Sequence, residues 1–186
     1  MNDSVCMIVL CICFGYILGN INPTYIISKI KGIDIRVKGS GNPGASNAAM
    51  VLGKKAGIFC GLFDIFKAYL AVKITTKLYP LFKMAGMLTG MSCVLGHIYP
   101  VTMKFKGGKG LACLSGVLLA YNNKLFIAML LFEVVVVLVT SYICMVATSG
   151  SLIFGLFVII KEGPVYAWII IIYSGFFIFI HILILS

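Results

Sequence analysis

Val5 to Pro23 reads VCMIVLCICFGYILGNINP, an uncharged apolar run that meets Gly19, Asn20, Asn22 and Pro23 before resuming at Thr24 and ending at Ile30. The stretch has no basic flank and no A-x-A cleavage site before it ends, and it continues too far for a removable signal, so it reads as a first membrane helix that is retained. A proline inside such a helix removes a backbone donor and bends the chain. In lipid no water can meet the freed carbonyl, so a neighbouring side chain must do so.

Working outward, the whole chain has the same character. Of 186 residues 61% are hydrophobic and 11% charged, and the mean hydropathy is +1.11. That leaves too little polar surface for a water-soluble globule and excludes a soluble enzyme. Apolar runs cover Val5 to Ile30, Ala56 to Leu78, Leu81 to Ile98, Leu111 to Tyr121, Leu125 to Val139, Tyr142 to Ile160 and Val165 to Leu185. The expected fold is therefore an all-α integral membrane protein of seven transmembrane helices, a single domain over residues 1–186. At 1.5 Å per residue the run Leu111 to Tyr121 covers only about 16 Å of a core about 30 Å thick, so it must adjoin an unusual loop.

Charge is concentrated in the gaps. Fifteen basic and five acidic residues give +10, and their placement between apolar runs points to anionic lipid or an anionic substrate, not nucleic acid. Eight of the basic residues lie in two loops: Lys31, Arg36, Lys38, Lys54 and Lys55 in the first, Lys104, Lys106 and Lys109 in the second. Two helices separate these loops, so they share a side, and the positive-inside rule makes both cytoplasmic. The amino terminus is then outside and the carboxyl terminus inside. The seven cysteines, Cys6, Cys11, Cys13, Cys60, Cys93, Cys113 and Cys144, lie in or beside apolar runs and read as buried thiols. No C-x-x-C occurs, and with two histidines no metal site is expected.

The first loop contains Lys38-Gly39-Ser40-Gly41-Asn42-Pro43-Gly44-Ala45-Ser46-Asn47. Glycine lets backbone amides approach an anion, and the Ser40 hydroxyl with Asn42 and Asn47 supplies donors suited to phosphate oxygens. The second runs from Gly96-His97-Ile98-Tyr99-Pro100 to Lys106-Gly107-Gly108-Lys109-Gly110, and a helix follows at once. A Gly-Gly-Lys-Gly turn entering a helix combines orphan N–H groups, the positive end of the helix dipole and an ammonium. Taken separately, the first loop could be a plain turn and the second a flank that only sets topology. Asp64 and Lys67, three apart on the second helix, share a face and can pair, either as a structural ion pair or to position the first loop. Glu133 lies deep in the fifth run, within possible reach of Lys67 or a cavity. His97 and His181 stand at helix ends on the same side, and neither builds a serine–histidine–carboxylate order.

These two loops resemble the first and second signature motifs of the bacterial acyl-phosphate-dependent glycerol-3-phosphate acyltransferases. Similar stretches run along the whole chain: Gly15 to Pro23, Gly53-Lys54-Lys55-Ala56-Gly57, and Asp64-Ile65-Phe66-Lys67. The resemblance implies a seven-helix bacterial plasma-membrane enzyme of phospholipid synthesis. Such an enzyme moves a fatty acyl group from acyl phosphate to the 1-position hydroxyl of glycerol 3-phosphate, giving lysophosphatidic acid and phosphate, with no cofactor. It implies Ser40, Asn42, Lys109 and His181 as catalytic residues, and Gly41, Gly44, Asn47, His97, Gly107 and Gly108 as substrate-binding ones. Acyl phosphate is an activated anhydride, so orientation and charge stabilisation suffice without a covalent nucleophile. The chain departs from the family at Met50, where an arginine is usual, at Ser141, where an Arg-Tyr-x-Ser pattern is usual, and at Ile184, where an asparagine follows the motif histidine. Arg36 is the sole arginine, and an arginine grips phosphate bidentately where lysine is a point charge. The alternatives are a weakened or non-catalytic relative that binds a phosphate-bearing lipid or partner enzyme, and a small anion transporter, which would be expected to show an internal repeat.

Overall fold

The structure is a computed structural model and describes residues 3–140, which are all-helical with no strand. The chain divides into two compact units, residues 1–121 and 122–186. The first holds α1 (Asp3–Asn20), α2 (Pro23–Ile30), α3 (Ala45–Val51), α4 (Lys54–Leu78), α5 (Ala85–Ile98) and α6 (Leu111–Tyr121); the described part of the second is α7 (Asn123–Thr140). By length and composition Ser4–Ile30 is long and apolar enough to cross a membrane.

The opening run breaks where its sequence predicts. Pro23 takes the first position of α2, where its missing N–H costs nothing, and the Asn22 side chain caps the new helix by accepting the Tyr25 N–H at 2.8 Å. The same Asn22 is buried and donates its amide to Pro43 O at 3.0 Å, which ties the break to the glycine-rich loop.

Packing within the first unit centres on α5, which lies against α1 and α4, while α6 packs on α4. Small residues allow the close approach of α1 and α5. A Cβ added at Gly15 would strike Thr89 O, one at Gly19 would strike Cys93 O, and one at Gly96 would strike Tyr16 O. Two helices that lack a hydrophobic drive to associate in lipid gain van der Waals contact this way, through small residues four apart such as Gly15 and Gly19. Gly116 plays the same part for α6, against Ile65 O of α4.

The described helices follow five of the seven apolar runs, and α6 has the bounds Leu111–Tyr121 that hydropathy predicts. The third run starts later than expected. Pro80 and successive turns, Phe82 N–H to Tyr79 O and Ala85 N–H to Phe82 O, hold its first residues out of the helix, which begins at Ala85. The loop between Lys31 and Lys55 also hides a two-turn helix, α3, invisible to hydropathy because it is short and mixed. Cys11, Cys60, Cys93 and Cys113 are buried as expected, but Cys13 is exposed and Cys6 half-buried on the outward face of α1. A thiol is apolar enough to face lipid, so burial in the bundle is not required. Cys144, and the sixth and seventh runs, lie outside the described residues.

Candidate active site

The first loop is built around one buried asparagine. After α2, Asp34 caps a single 3-10 turn, Ile35–Val37. Gly39 and Gly41 take the left-handed backbone, with φ of 60° and 73°, which carries the chain back on itself. Inside that reversal lies Asn47, the third residue of α3, fully buried. Its Nδ2 donates to Ile35 O at 3.1 Å and Lys38 O at 2.9 Å, and its Oδ1 accepts the Ser40 N–H at 2.9 Å. Asn47 was expected to meet substrate; its amide is instead spent on the loop's own carbonyls and shapes the loop. Gly39 leaves room for it, since a Cβ there would strike Asn47 Oδ1. The result is an outward-facing Ser40 with Asn42 beside it, half-exposed.

Arg36 is committed elsewhere. Its guanidinium bonds both Asp34 oxygens at 3.0 and 2.8 Å, lies over the Tyr25 ring, and donates to Met103 O at 3.1 Å. Asp34, which also accepts the Arg36 backbone N–H, is held well below the usual carboxylate range by these bonds. The pair therefore stays charged under any ordinary condition and links the first loop to the second. The one arginine is thus a strut between loops.

The second loop turns on itself twice. Pro100 is buried, a 3-10 turn covers Val101–Met103, and Lys104 and Phe105 both adopt left-handed φ, 55° and 60°. Two consecutive side-chain-bearing residues there store strain that surrounding contacts must hold. Those contacts include Phe105 N–H to Pro100 O and Tyr16 OH to Tyr99 O. Gly107 and Gly108, expected to offer their amides to an anion, point them inward: Gly107 N–H donates to Ile98 O and Gly108 N–H to His97 O, at 3.0 and 3.1 Å. They close the end of α5. A Cβ at Gly107 would strike His97 O, and one at Gly108 would strike His97 Nε2, so glycine is needed here for close approach.

What remains open to an anion lies one step further on. The amides of Lys109, Gly110, Leu111, Ala112 and Cys113 donate to no acceptor among the described residues, and the first bond of α6 is Leu114 N–H to Gly110 O at 2.9 Å. Lys109 has no ion-pair partner among the described residues, nor do Lys38, Lys104 and Lys106. A helix start with free amides beside an ammonium has the electrostatics that favour an anion.

Below the loops Asp64 and Lys67 form the buried pair that their spacing predicts, at 2.8 Å. His97, expected at the substrate, is in the last turn of α5 with its ring turned into the bundle, Nδ1 3.1 Å from Lys67 Nζ and 3.4 Å from Asp64 Oδ1. Ligand atoms of Asp64, His97 and Cys113 lie within 4.8 Å of one another. The Lys67 ammonium, hydrogen-bonding distance from two of these groups, already stands as their cation, so the donor set does not suit a divalent ion. Sequence reasoning missed the links across the chain, from Asn22 to Pro43 and from Arg36 to Met103. The only signal for the first was the Asn-Pro cap, and the second had none. His181, Ser141 and Ile184, and the side chain of Glu133, lie outside the described residues.

Fold and site together define a helical membrane protein with two glycine-rich loops whose Lys38, Lys104, Lys106 and Lys109 have no ion-pair partner among the described residues. Residues 9–185 match the glycerol-3-phosphate acyltransferase family. A glycerol-3-phosphate acyltransferase of Aquifex aeolicus is 35% identical over 152 residues, 82% of this chain and 79% of its own. The crystal structure of PlsY (YgiH), an integral membrane glycerol 3-phosphate acyltransferase, in its glycerol 3-phosphate form superposes with a TM-score of 0.83 at 32% identity, covering 94% of this chain and 87% of that one. Its lysophosphatidic acid form gives 0.80 over the same shares. The chain belongs to the glycerol-3-phosphate acyltransferase family, and it is an integral membrane enzyme with no strand among its described residues.

Proposed function

We propose that this enzyme transfers a fatty acyl group from acyl phosphate to the 1-position hydroxyl of glycerol 3-phosphate, releasing lysophosphatidic acid and inorganic phosphate. The observation that carries the site assignment is that, among the described residues, the amides from Lys109 to Cys113 have no acceptor and the Lys109 ammonium has no ion-pair partner. That end of α6 takes the phosphate of glycerol 3-phosphate, with Gly107 and Gly108 setting its position. Ser40 and Asn42, on the loop tied across by Arg36, attend the acyl phosphate, and Gly41 and Gly44 give the chain its reversal there. The glycerol hydroxyl oxygen attacks the acyl carbon, the bond from that carbon to the phosphate oxygen breaks, the hydroxyl proton passes to the departing phosphate, and donors near the phosphates stabilise the charge that leaves. His181 is assigned to the same site on the family resemblance alone. An apolar groove of about 480 Å3 beside the helix break, lined by Tyr16, Ile21, Tyr25, Val101 and Met103 among others, suits the acyl chain.

A second reading, a weakened relative, draws support from Met50, which stands 64% exposed on α3 where the family arginine is usual, while Arg36 is occupied by Asp34. One experiment separates the two. Purified protein given palmitoyl phosphate and glycerol 3-phosphate should release phosphate, and Met50→Arg, which disturbs no packing, should raise kcat/KM by about tenfold if a phosphate contact is missing. No gain would mean that lysines such as Lys54 already fill the place. No release from either protein, both inserted normally, would leave a non-catalytic relative.

The topology belongs to the same proposal: one membrane domain of seven crossings, amino terminus outside, both loops and the carboxyl terminus cytoplasmic. Cysteines placed at Lys38 and Lys106, in a background without native cysteines, should react with an impermeant thiol reagent only from the cytoplasmic side. Labelling of either in intact cells contradicts a shared site.

A further inference from the structure

The buried cluster beneath the loops does more than neutralise itself. Asp64, Lys67 and His97 are 1%, 3% and 3% exposed, and a buried ammonium is costly unless its protons are all used. Lys67 Nζ donates to Ile21 O at 2.6 Å and Gly19 O at 3.2 Å, pairs with Asp64 Oδ1 at 2.8 Å and lies 3.1 Å from His97 Nδ1. The two carbonyls are those at the break between α1 and α2, which forms one wall of the apolar groove. An ion pair alone would need only Asp64.

His97 carries the contact onward. Its Nδ1 stands 3.1 Å from Lys67 Nζ and 3.4 Å from Asp64 Oδ1, so the ring is fixed against the pair. Its Nε2 stands where a Cβ on Gly108 would fall, while His97 O accepts the Gly108 amide at 3.1 Å. The glycine before Lys109 is therefore seated on His97 from two directions. One lysine thus touches the break beside the groove and the residue on which the Gly107-Gly108-Lys109 turn rests.

We infer that Lys67 is a positioning residue for acyl transfer, holding the helix break and the His97 seat in one register so that both substrates meet at reacting distance. This rests on the acyltransferase reading above. It touches neither substrate, and its effect passes through Gly19, Ile21 and His97.

The test is kinetic. Lys67→Met leaves Asp64 buried without its partner and so risks the fold. The double variant Asp64→Asn/Lys67→Met removes both charges at nearly equal volume, and a buried pair replaced in this way often leaves stability intact. Both are compared with the unaltered protein for elution and thermal unfolding in detergent, and for kcat and KM with palmitoyl phosphate and glycerol 3-phosphate. The double variant should unfold as the unaltered protein does, yet show a KM for glycerol 3-phosphate raised by about tenfold or more. Unaltered KM values, with rates lowered only in proportion to folded protein, would make the cluster a plain structural pair and overturn the inference alone. Loss of folded protein in both variants also overturns it, since the cluster is then a requirement of the fold. Absence of turnover in the unaltered protein overturns the acyltransferase reading and this inference with it.

Discussion

Lys109→Ala should raise the KM for glycerol 3-phosphate by roughly ten- to a hundredfold, or abolish turnover, in the phosphate-release assay with palmitoyl phosphate as donor. Lys109 has no partner among the described residues and precedes the free amides of α6, so nothing in the described protein is lost when its ammonium goes. The whole effect then falls on the anion. A charge-assisted contact is worth about 1.5 to 3 kcal/mol, which sets that range. Lys109→Arg should recover part of the loss, because it keeps the charge with a different geometry. Lys104→Ala is the comparison: Lys104 is exposed and its left-handed φ of 55° is no worse for alanine than for lysine, so its KM should stay close to that of the unaltered protein. Equal and small effects at both positions would reduce the second loop to a topological flank.

The second large effect is expected at Asn47, for the opposite reason. Asn47→Ala removes three hydrogen bonds and leaves the Ser40 amide and the Ile35 and Lys38 carbonyls without the partner that organises them. Lys38 O keeps the Gly41 N–H and Ile35 O keeps the Lys38 N–H, so the cost is that of three lost bonds at about 0.5 to 1.5 kcal/mol each, enough to let the reversal at Gly39 to Gly41 open. Asn47→Asp should be worse, because it aims a carboxylate oxygen at the two carbonyls that Nδ2 now serves. Two measurements check this. Turnover should fall by more than about a hundredfold in both variants, and trypsin should cut after Lys38 far faster than in the unaltered protein while the rest of the chain stays resistant. Unchanged cleavage with full activity would mean that the loop does not depend on its buried amide.

The two cases show where sequence reasoning reached and where it stopped. Lys109 was legible because its setting is local: glycines, a lysine and the start of an apolar run are adjacent in the chain, and orphan amides at a helix start follow from helix geometry alone. The Asp64–Lys67 pair was legible for the same reason, since residues three apart on a helix share a face. The break at Pro23 and the bounds of α6 also come from short-range rules. Asn47 was not legible. An asparagine in a glycine-rich loop can face substrate or its own backbone with equal chemical sense, and only the fold of α3 against the 3-10 turn at Ile35 decides which.

From its own chemistry the sequence determined that this chain lives in a membrane as helices, that its first helix breaks, and that its charge gathers in two glycine-rich loops fit for phosphate. Only the tertiary structure decided what those polar groups touch. It turned the amides of Gly107 and Gly108 onto the end of α5, spent Arg36 on Met103, and carried Lys67 to carbonyls 46 and 48 residues away. The physical reason is that a helix's own bonds are set within four residues, whereas the partner of a buried side chain depends on how closely helices approach. That approach is governed by contacts such as Gly19 on Cys93 O and Gly96 on Tyr16 O, between segments far apart in the chain.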